Sequence, residues 1–257
     1  MYSSDLFDLT GKVAVVTGGS RGMGKSMVQA FAHYGADVVI ASRKLPACEA
    51  LAEEVKAETG QRAVGVSCHV GHWDQCDQLF EFVYETFGRC DVLVNNAGMS
   101  PLYDSLGSVT EALYDKVLDV NLKGPFRLSA LFGERMAAED GGSIINVSSV
   151  AAVQPSPIEA TYGAAKAGLN NMTISFARAY GPKVRVNTIM PGPFLTDISK
   201  AWDLEAFAER AANDIPLGRG GEPDEVVGAA LYFASAASSY TTGSVLKIDG
   251  GTAFSPA

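Results

Sequence analysis

Seven short runs of β-branched and aliphatic residues recur along the chain, each separated from the next by a longer segment, and this alternation most constrains the fold. The runs are Val13 to Thr17, Val38 to Ala41, Ala63 to Cys68, Val92 to Asn95, Ile144 to Ser148, Val184 to Ile189 and Val245 to Ile248. The first six read as largely apolar runs rather than strict alternations, as strands covered by helices on both faces do. Helical spacing occupies 22–34, 45–59, 74–87, 110–136, 160–180 and 222–236, with turn residues at the joints. This βαβα order predicts an α/β, Rossmann-type doubly wound fold: a seven-stranded parallel sheet with helices on both faces, its ligand beyond the carboxyl ends of the strands.

With 257 residues, 47% of them hydrophobic, the chain can bury a large core. No repeat or linker divides it, so a single domain over 1–257 is expected, least regular over about 192–216. A net charge of -9 and the lack of any Lys/Arg run argue against nucleic-acid or membrane partners. The start carries no basic segment followed by an apolar one, and no apolar stretch is long enough to span a bilayer, which makes cytoplasmic localisation the expectation. Cys48, Cys68, Cys76 and Cys90 form no C-x-x-C pair and read as free thiols. Asn146-Val147-Ser148 matches a glycosylation sequon but lies inside an apolar strand.

Thr17-Gly18-Gly19-Ser20-Arg21-Gly22-Met23-Gly24 follows the first strand and opens the first helix, where backbone N–H groups and the positive helix end favour a phosphate. Gly19 to Ser26 also fits the nucleotide-hydrolase pattern G-x-x-x-x-G-K-S, with Lys25 and Ser26 as phosphate and magnesium ligands. Such an enzyme needs a carboxylate at a neighbouring strand end, yet those strands end in Asn95-Asn96 and Ser148-Ser149. The spacing of Gly18, Gly22 and Gly24 suits a dinucleotide; a bare tight turn is the third reading. The second strand ends Ala41-Ser42-Arg43-Lys44, without the acid that would hold a ribose 2′-hydroxyl. Ser42, Arg43 and Arg21 instead favour a 2′-phosphate, hence NADP over NAD, unless Arg43 and Lys44 are simply solvated charges.

Tyr162-Gly163-Ala164-Ala165-Lys166 carries the chemistry. Residues four apart share a helix face, so the Lys166 ammonium can lie near the Tyr162 phenol and favour its ionised form. Tyr162 then serves as acid and base, and Ser149, thirteen residues upstream at a strand end, can hold the substrate oxygen. Y-x-x-x-K alone is a weak signal; its weight comes from Ser149, the glycine turn and Asn95-Asn96-Ala97-Gly98 after the fourth strand.

Together these motifs resemble the short-chain dehydrogenase/reductase family over essentially the whole chain, in particular its 3-oxoacyl-carrier-protein reductase-like and carbonyl reductase-like members. The resemblance implies that Asn121 joins Ser149, Tyr162 and Lys166 in a catalytic tetrad, organising a proton-relay water, and that Lys166 also binds ribose. It places Gly18, Ser20, Arg21, Gly22, Met23, Gly24, Ser42, Arg43, Val70, Asn95, Ala97, Gly98, Tyr162 and Lys166 around the cofactor. Pro191, Gly192, Phe194 and Thr196 would hold the nicotinamide carboxamide. Gly218-Arg219, Gly221-Glu222-Pro223 and Asp249-Gly250-Gly251 resemble elements that close the sheet and pack subunits, and the implied assembly is a homotetramer. At the end of the third strand the family commonly has Asp-Val at the adenine, whereas this chain has His69-Val70. No metal is expected: His69 and His72 lack a thiolate or carboxylate cluster.

The reaction expected is reversible reduction of a ketone or 3-oxoacyl group with NADPH, Tyr162 giving the proton. Leu102, Val153, Phe194, Leu195, Trp202 and Phe207 would border an apolar pocket, and an amphipathic segment over about 194–214 would form a substrate lid. An NAD(H)-dependent alcohol dehydrogenase of the same family is the alternative; a non-catalytic dinucleotide-binding scaffold and a nucleotide hydrolase stand behind it.

Overall fold

The computed structural model describes residues 6–196, 199 and 203–253. Its strands are β1 (Val13–Thr17), β2 (Asp37–Ser42), β3 (Ala63–Ser67), β4 (Val92–Asn95), β5 (Gly142–Val147), β6 (Val184–Pro191) and β7 (Val245–Ile248). The helices are α1 (Gly22–His33), α2 (Leu45–Thr59), α3 (Trp73–Phe87), α4 (Glu111–Leu118), α5 (Gly124–Ala138), α6 (Ala160–Tyr180), α7 (Leu204–Asp214) and α8 (Val227–Ala234). All sheet pairings are parallel, in the order β3-β2-β1-β4-β5-β6-β7. The winding reverses between β1 and β4, and the strand ends there open a crevice for a ligand.

Successive strand residues point to opposite faces, and each face is buried. Ala14, Val16, Val38 and Ile40 pack with Met27 and Phe31 of α1, Leu51 and Val55 of α2 and Phe233 of α8. Val15, Val39, Leu93 and Ile144 meet Leu79 and Val83 of α3, Leu128, Phe132 and Met136 of α5, and Phe176 of α6. Each such large side chain, fully buried, contributes about 1.5–3 kcal/mol. At the far end of the sheet Asp91 accepts from the Val13 amide (2.9 Å), Lys12 (3.2 Å) and Arg89 (2.8 and 2.6 Å), tying β4 to β1.

Two expected helices differ in form, and a further helix lies in the segment expected to be irregular. The stretch 110–136 is broken at Asp119–Lys123 by a π turn, one residue wider than a regular helical turn, between α4 and α5. Pro125 has no amide hydrogen to continue a regular ladder there, and Gly124 lies so close to Val70 that a Cβ would sit 2.2 Å from its carbonyl oxygen. Residues 222–236 divide into a 3-10 turn at Pro223–Val226 and α8. The irregular late segment contains α7, whose N-terminus is capped by Asp203 accepting from the Glu205 and Ala206 amides (both 3.1 Å). Phe207 and Ala211 of α7 bury with Ile215 against Leu195 as a small separate cluster. Trp202, expected in the lid, lies outside the described residues.

Candidate active site

The glycine turn joins β1 to α1 at the crevice. Gly18 and Gly22 hold φ values of 63° and 52°, where a side chain is strained. A Cβ on Gly24 would lie 2.3 Å from the Gly18 carbonyl oxygen and 2.6 Å from Asn96 Nδ2, so only glycine lets the helix close on the turn. The first turn of α1 has no side-chain cap, which leaves its amide donors for an anion. Asn96 latches the assembly, donating to the carbonyls of Thr17 (2.9 Å) and Gly18 (3.2 Å), while Thr17 Oγ1 accepts from the Asn96 and Ala97 amides (3.1 and 3.2 Å). Met23, half-buried, packs its side chain against the core.

Asn95, expected at the cofactor, points its side chain into the core. Its Nδ2 donates to Ser129 Oγ and Asn146 Oδ1 (2.9 Å each), and Asn146 donates onward to Thr173. What Asn95 presents to the crevice is backbone; the side chain that works on the turn is that of Asn96, which sequence reasoning passed over. The adjacent position was the available signal, since neighbours in a strand face opposite ways. The nucleotide-hydrolase reading fails on the same scale. Lys25 pairs with Glu54 at 2.8 Å, and Ser26 donates to Asp224 at 2.7 Å, so both are engaged away from the turn.

At the end of β2, Ser42 Oγ lies 3.0 Å from Ser20 Oγ and 3.0 Å from Cys48 Sγ, linking strand end to glycine turn. Arg21 and Arg43 are exposed beside them. Ser42 pairs with Ser67 of β3, so the residues past both strand ends are neighbours. Val70 is buried under Gly124. His69 Nδ1 accepts from the Gly71 amide at 3.1 Å, and its ring meets that of His72 edge-on at 4.6 Å. Burial, together with the charges of His72, Arg43 and Lys116, holds His69 below the ordinary histidine range. Among the described residues, no group of three or more His, Cys, Asp and Glu side chains is placed to hold a metal ion.

Ser149, just past the end of β5, and Tyr162, in the first turn of α6, are neighbours: the Ser149 hydroxyl is near enough to favour the ionised phenol, and its Oγ accepts from the Ala151 amide at 3.2 Å. Lys166, one turn on, places Nζ 5.7 Å from the centre of the Tyr162 ring and donates to the Val147 carbonyl at 2.7 Å. Desolvation pushes the phenol up to about 12, against the Ser149 hydrogen bond, and the negative charge of Glu159 adds to the rise. Desolvation likewise pulls the Lys166 ammonium down to about 7. Asn121 lies in the π turn, which aims its amide at the loop after β4: Nδ2 donates to Met99 O (2.8 Å) and Val117 O (2.9 Å), and Oδ1 accepts from the Met99 amide (3.2 Å). Gly98 is exposed, and a Cβ there would stand 3.0 Å from Asn121 Oδ1 and 3.6 Å from Lys166 Nζ.

Pro191 ends β6 against Ile248, and Gly192 packs on Asp249, where a Cβ would come within 2.8 Å of its Cα. Phe194 is buried and bridges to Gly221, and Thr196 lies over the start of α1, its Cβ 3.5 Å from where one on Gly22 would be. Leu102 and Val153 are exposed, whereas Phe207 is used up in the α7 cluster. Sequence reasoning overlooked a polar group here: Ser100 Oγ donates to Glu159 at 3.3 Å, and the Ala160 amide donates to the Tyr103 hydroxyl at 2.6 Å. Position alone, one helical turn before Tyr162, was the signal for Glu159.

These residues fit a dinucleotide. The strained glycines and uncapped amides make a cradle a Cβ would fill, and the bare surface at Gly98 leads from that cradle to Lys166 and Tyr162. A sequence profile for enoyl-(acyl carrier protein) reductase matches residues 18–253. The chain is 38% identical over 245 residues to the 3-oxoacyl-[acyl-carrier-protein] reductase of Thermotoga maritima, covering 95% of this chain and 98% of that one. Among solved structures, the NADPH-dependent 3-quinuclidinone reductase of Rhodotorula rubra superposes with a TM-score of 0.93 at 31% identity over 99% of this chain and 97% of that one. A 7α-hydroxysteroid dehydrogenase complexed with NADH and 7-oxoglycochenodeoxycholic acid gives 0.93 at 30% identity, with 98% of each chain covered. Turn, strand-end latch and paired tyrosine and lysine therefore sit in a fold and a set of relatives that agree: the chain belongs to the short-chain dehydrogenase/reductase family of oxidoreductases.

Proposed function

We propose that this protein is an NADP(H)-dependent oxidoreductase that interconverts a ketone and a secondary alcohol, with Tyr162 as the general acid and base. The observation that carries this reading is the placement of Asn121 and Lys166 beside the exposed Gly98, with the Tyr162 ring next to Lys166 and Ser149 next to Tyr162. Gly18 to Gly24 would receive the pyrophosphate, Ala97 and Gly98 the ribose, and Pro191 to Thr196 the carboxamide. The nicotinamide, when bound, supplies or accepts the hydride. A carbonyl oxygen entering beside Ser149 accepts from its hydroxyl and from the Tyr162 phenol, which gives up its proton as charge develops there. A phenol held near 12 is protonated at neutral pH and so starts as an acid. Lys166 then stabilises the phenolate left behind, while Asn121 orients a water that returns the proton.

The preference for NADP rests on Ser42, Arg43 and Arg21, since one solved relative is named NADPH-dependent and another holds NADH. The cysteines Cys48, Cys68, Cys76 and Cys90 are free and buried, which supports a cytoplasmic setting. No helix among the described residues is long and apolar enough to cross a membrane. Exposed Tyr114, Phe126 and Ile174 on α4, α5 and α6 support a homotetramer built on those helices, for which the solution mass should equal four chains. The activity is tested by following NADPH absorbance with a panel of ketones. Ketone-dependent loss of NADPH is expected, and magnesium-dependent ATP hydrolysis without it would overturn the reading.

A further inference from the structure

The start of α6 carries a carboxylate that neither the fold nor the proton transfer consumes. Glu159 occupies the residue before the first turn of α6, where the shorter side chains of Ser, Thr, Asp or Asn ordinarily cap the helix amides. It makes no such cap, and the Tyr103 hydroxyl takes the Ala160 amide instead. Ser100 Oγ is the hydrogen-bond partner of the Glu159 carboxylate among the described residues, and it reaches only Oε2. Ser100 comes two residues after Gly98, on the loop whose Met99 is fixed by Asn121. The carboxylate thus stands half-buried between that loop and Tyr162, close enough for its charge to be felt at the phenol. Burial lifts its own carboxyl above the ordinary glutamate range. A negative group so placed, beside a phenol it makes harder to ionise, opposes catalysis unless a substrate offsets it.

We propose that Glu159 determines specificity: its carboxylate selects carbonyl substrates that bear a cationic amine near the reacting carbon, over their neutral and anionic counterparts. An ammonium entering with the ketone forms a charge-assisted hydrogen bond with the open carboxylate oxygen and cancels the charge that Tyr162 feels. Apolar recognition by Leu102 and Val153 remains at the rim, but an acyl chain or a sugar acid would leave the half-buried carboxylate unpaired or repelled. This inference rests on the carbonyl-reductase reading above.

The test compares matched ketones that differ in one group, such as N-methylpiperidin-4-one, cyclohexanone and 4-oxocyclohexanecarboxylate, within a wider panel of such sets. For wild type, kcat/KM with the amine members should exceed that with the neutral ones by about ten- to hundredfold, the span of a charge-assisted hydrogen bond, with the anionic members last. Glu159→Gln should bring the amine-to-neutral ratio to near one, and Glu159→Asp should restore part of it. Melting temperature and NADPH affinity, read alongside, show whether Glu159→Gln is folded. Equal turnover of amine and neutral members by wild type, or a ratio that survives in a folded Glu159→Gln protein, overturns the assignment of Glu159 and leaves the carbonyl-reductase reading standing. No NADPH-dependent turnover of any ketone overturns both.

Discussion

On the proposed reading, cofactor choice turns on Arg43. If it binds the 2′-phosphate by a charge-assisted hydrogen bond, Arg43→Ala should weaken NADPH by about 1.5–3 kcal/mol, or roughly 10- to 150-fold, and leave NADH nearly unchanged. Adding Ser42→Asp should invert the preference, because the carboxylate accepts from a ribose hydroxyl and repels a phosphate; Arg21 would blunt the reversal. Fluorescence titration of both cofactors reads this, and an unchanged NADPH affinity in Arg43→Ala would make Arg43 a surface charge. The residues legible from sequence were those whose spacing is itself the mechanism. Tyr162 and Lys166 lie one turn apart, and the glycines fall where φ must be positive. Asn95 and Asn96 could not be told apart by type, because only the facing of the strand decides which amide reaches the turn. Glu159 was missed because a carboxylate before a helix already has an ordinary explanation, which the Tyr103–Ala160 hydrogen bond removes.

At the scale of elements, strands and most helices followed from hydrophobic period, since both faces of the sheet are buried and leave long apolar runs. The π turn was not legible, because an extra residue in a helix leaves the apolar spacing on either side almost intact. Yet it sets the orientation of Asn121. Helix α7 was only partly anticipated, since its apolar contacts are few and its surroundings polar. The contact between α1 and the glycine turn gives a sharper test. Gly24→Ala places a methyl 2.3 Å from the Gly18 carbonyl and 2.6 Å from Asn96 Nδ2, so the turn must open and the Asn96 latch loosen. We expect cofactor dissociation constants to rise at least about tenfold, with circular dichroism unchanged. Wild-type affinity in that variant would separate the latch from cofactor binding.

For the whole molecule, the sheet has a functional end and a structural end. Asp91 works at the structural end. Burial there disfavours its charge, but Arg89, the Val13 amide and Lys12 outweigh it and hold the carboxyl below its ordinary range. A lowered folded value means stability that is present above the unfolded carboxyl value of about 3.9 and is lost as pH falls through the folded one. Asp91→Asn should therefore cost about 1–3 kcal/mol at neutral pH in urea unfolding, with the gap to wild type closing in acid. Equal stability at neutral pH would contradict this. The carboxyl-end crevice is where the account stands or falls, and Tyr162→Phe addresses it directly by removing one hydroxyl and nothing else. In the ketone panel its kcat should fall by about 10²- to 10⁴-fold, as for loss of a general acid, while NADPH affinity and melting temperature stay at wild-type values. Turnover within about tenfold of wild type, with the same cofactor affinity, would contradict the assignment of Tyr162 as the proton donor.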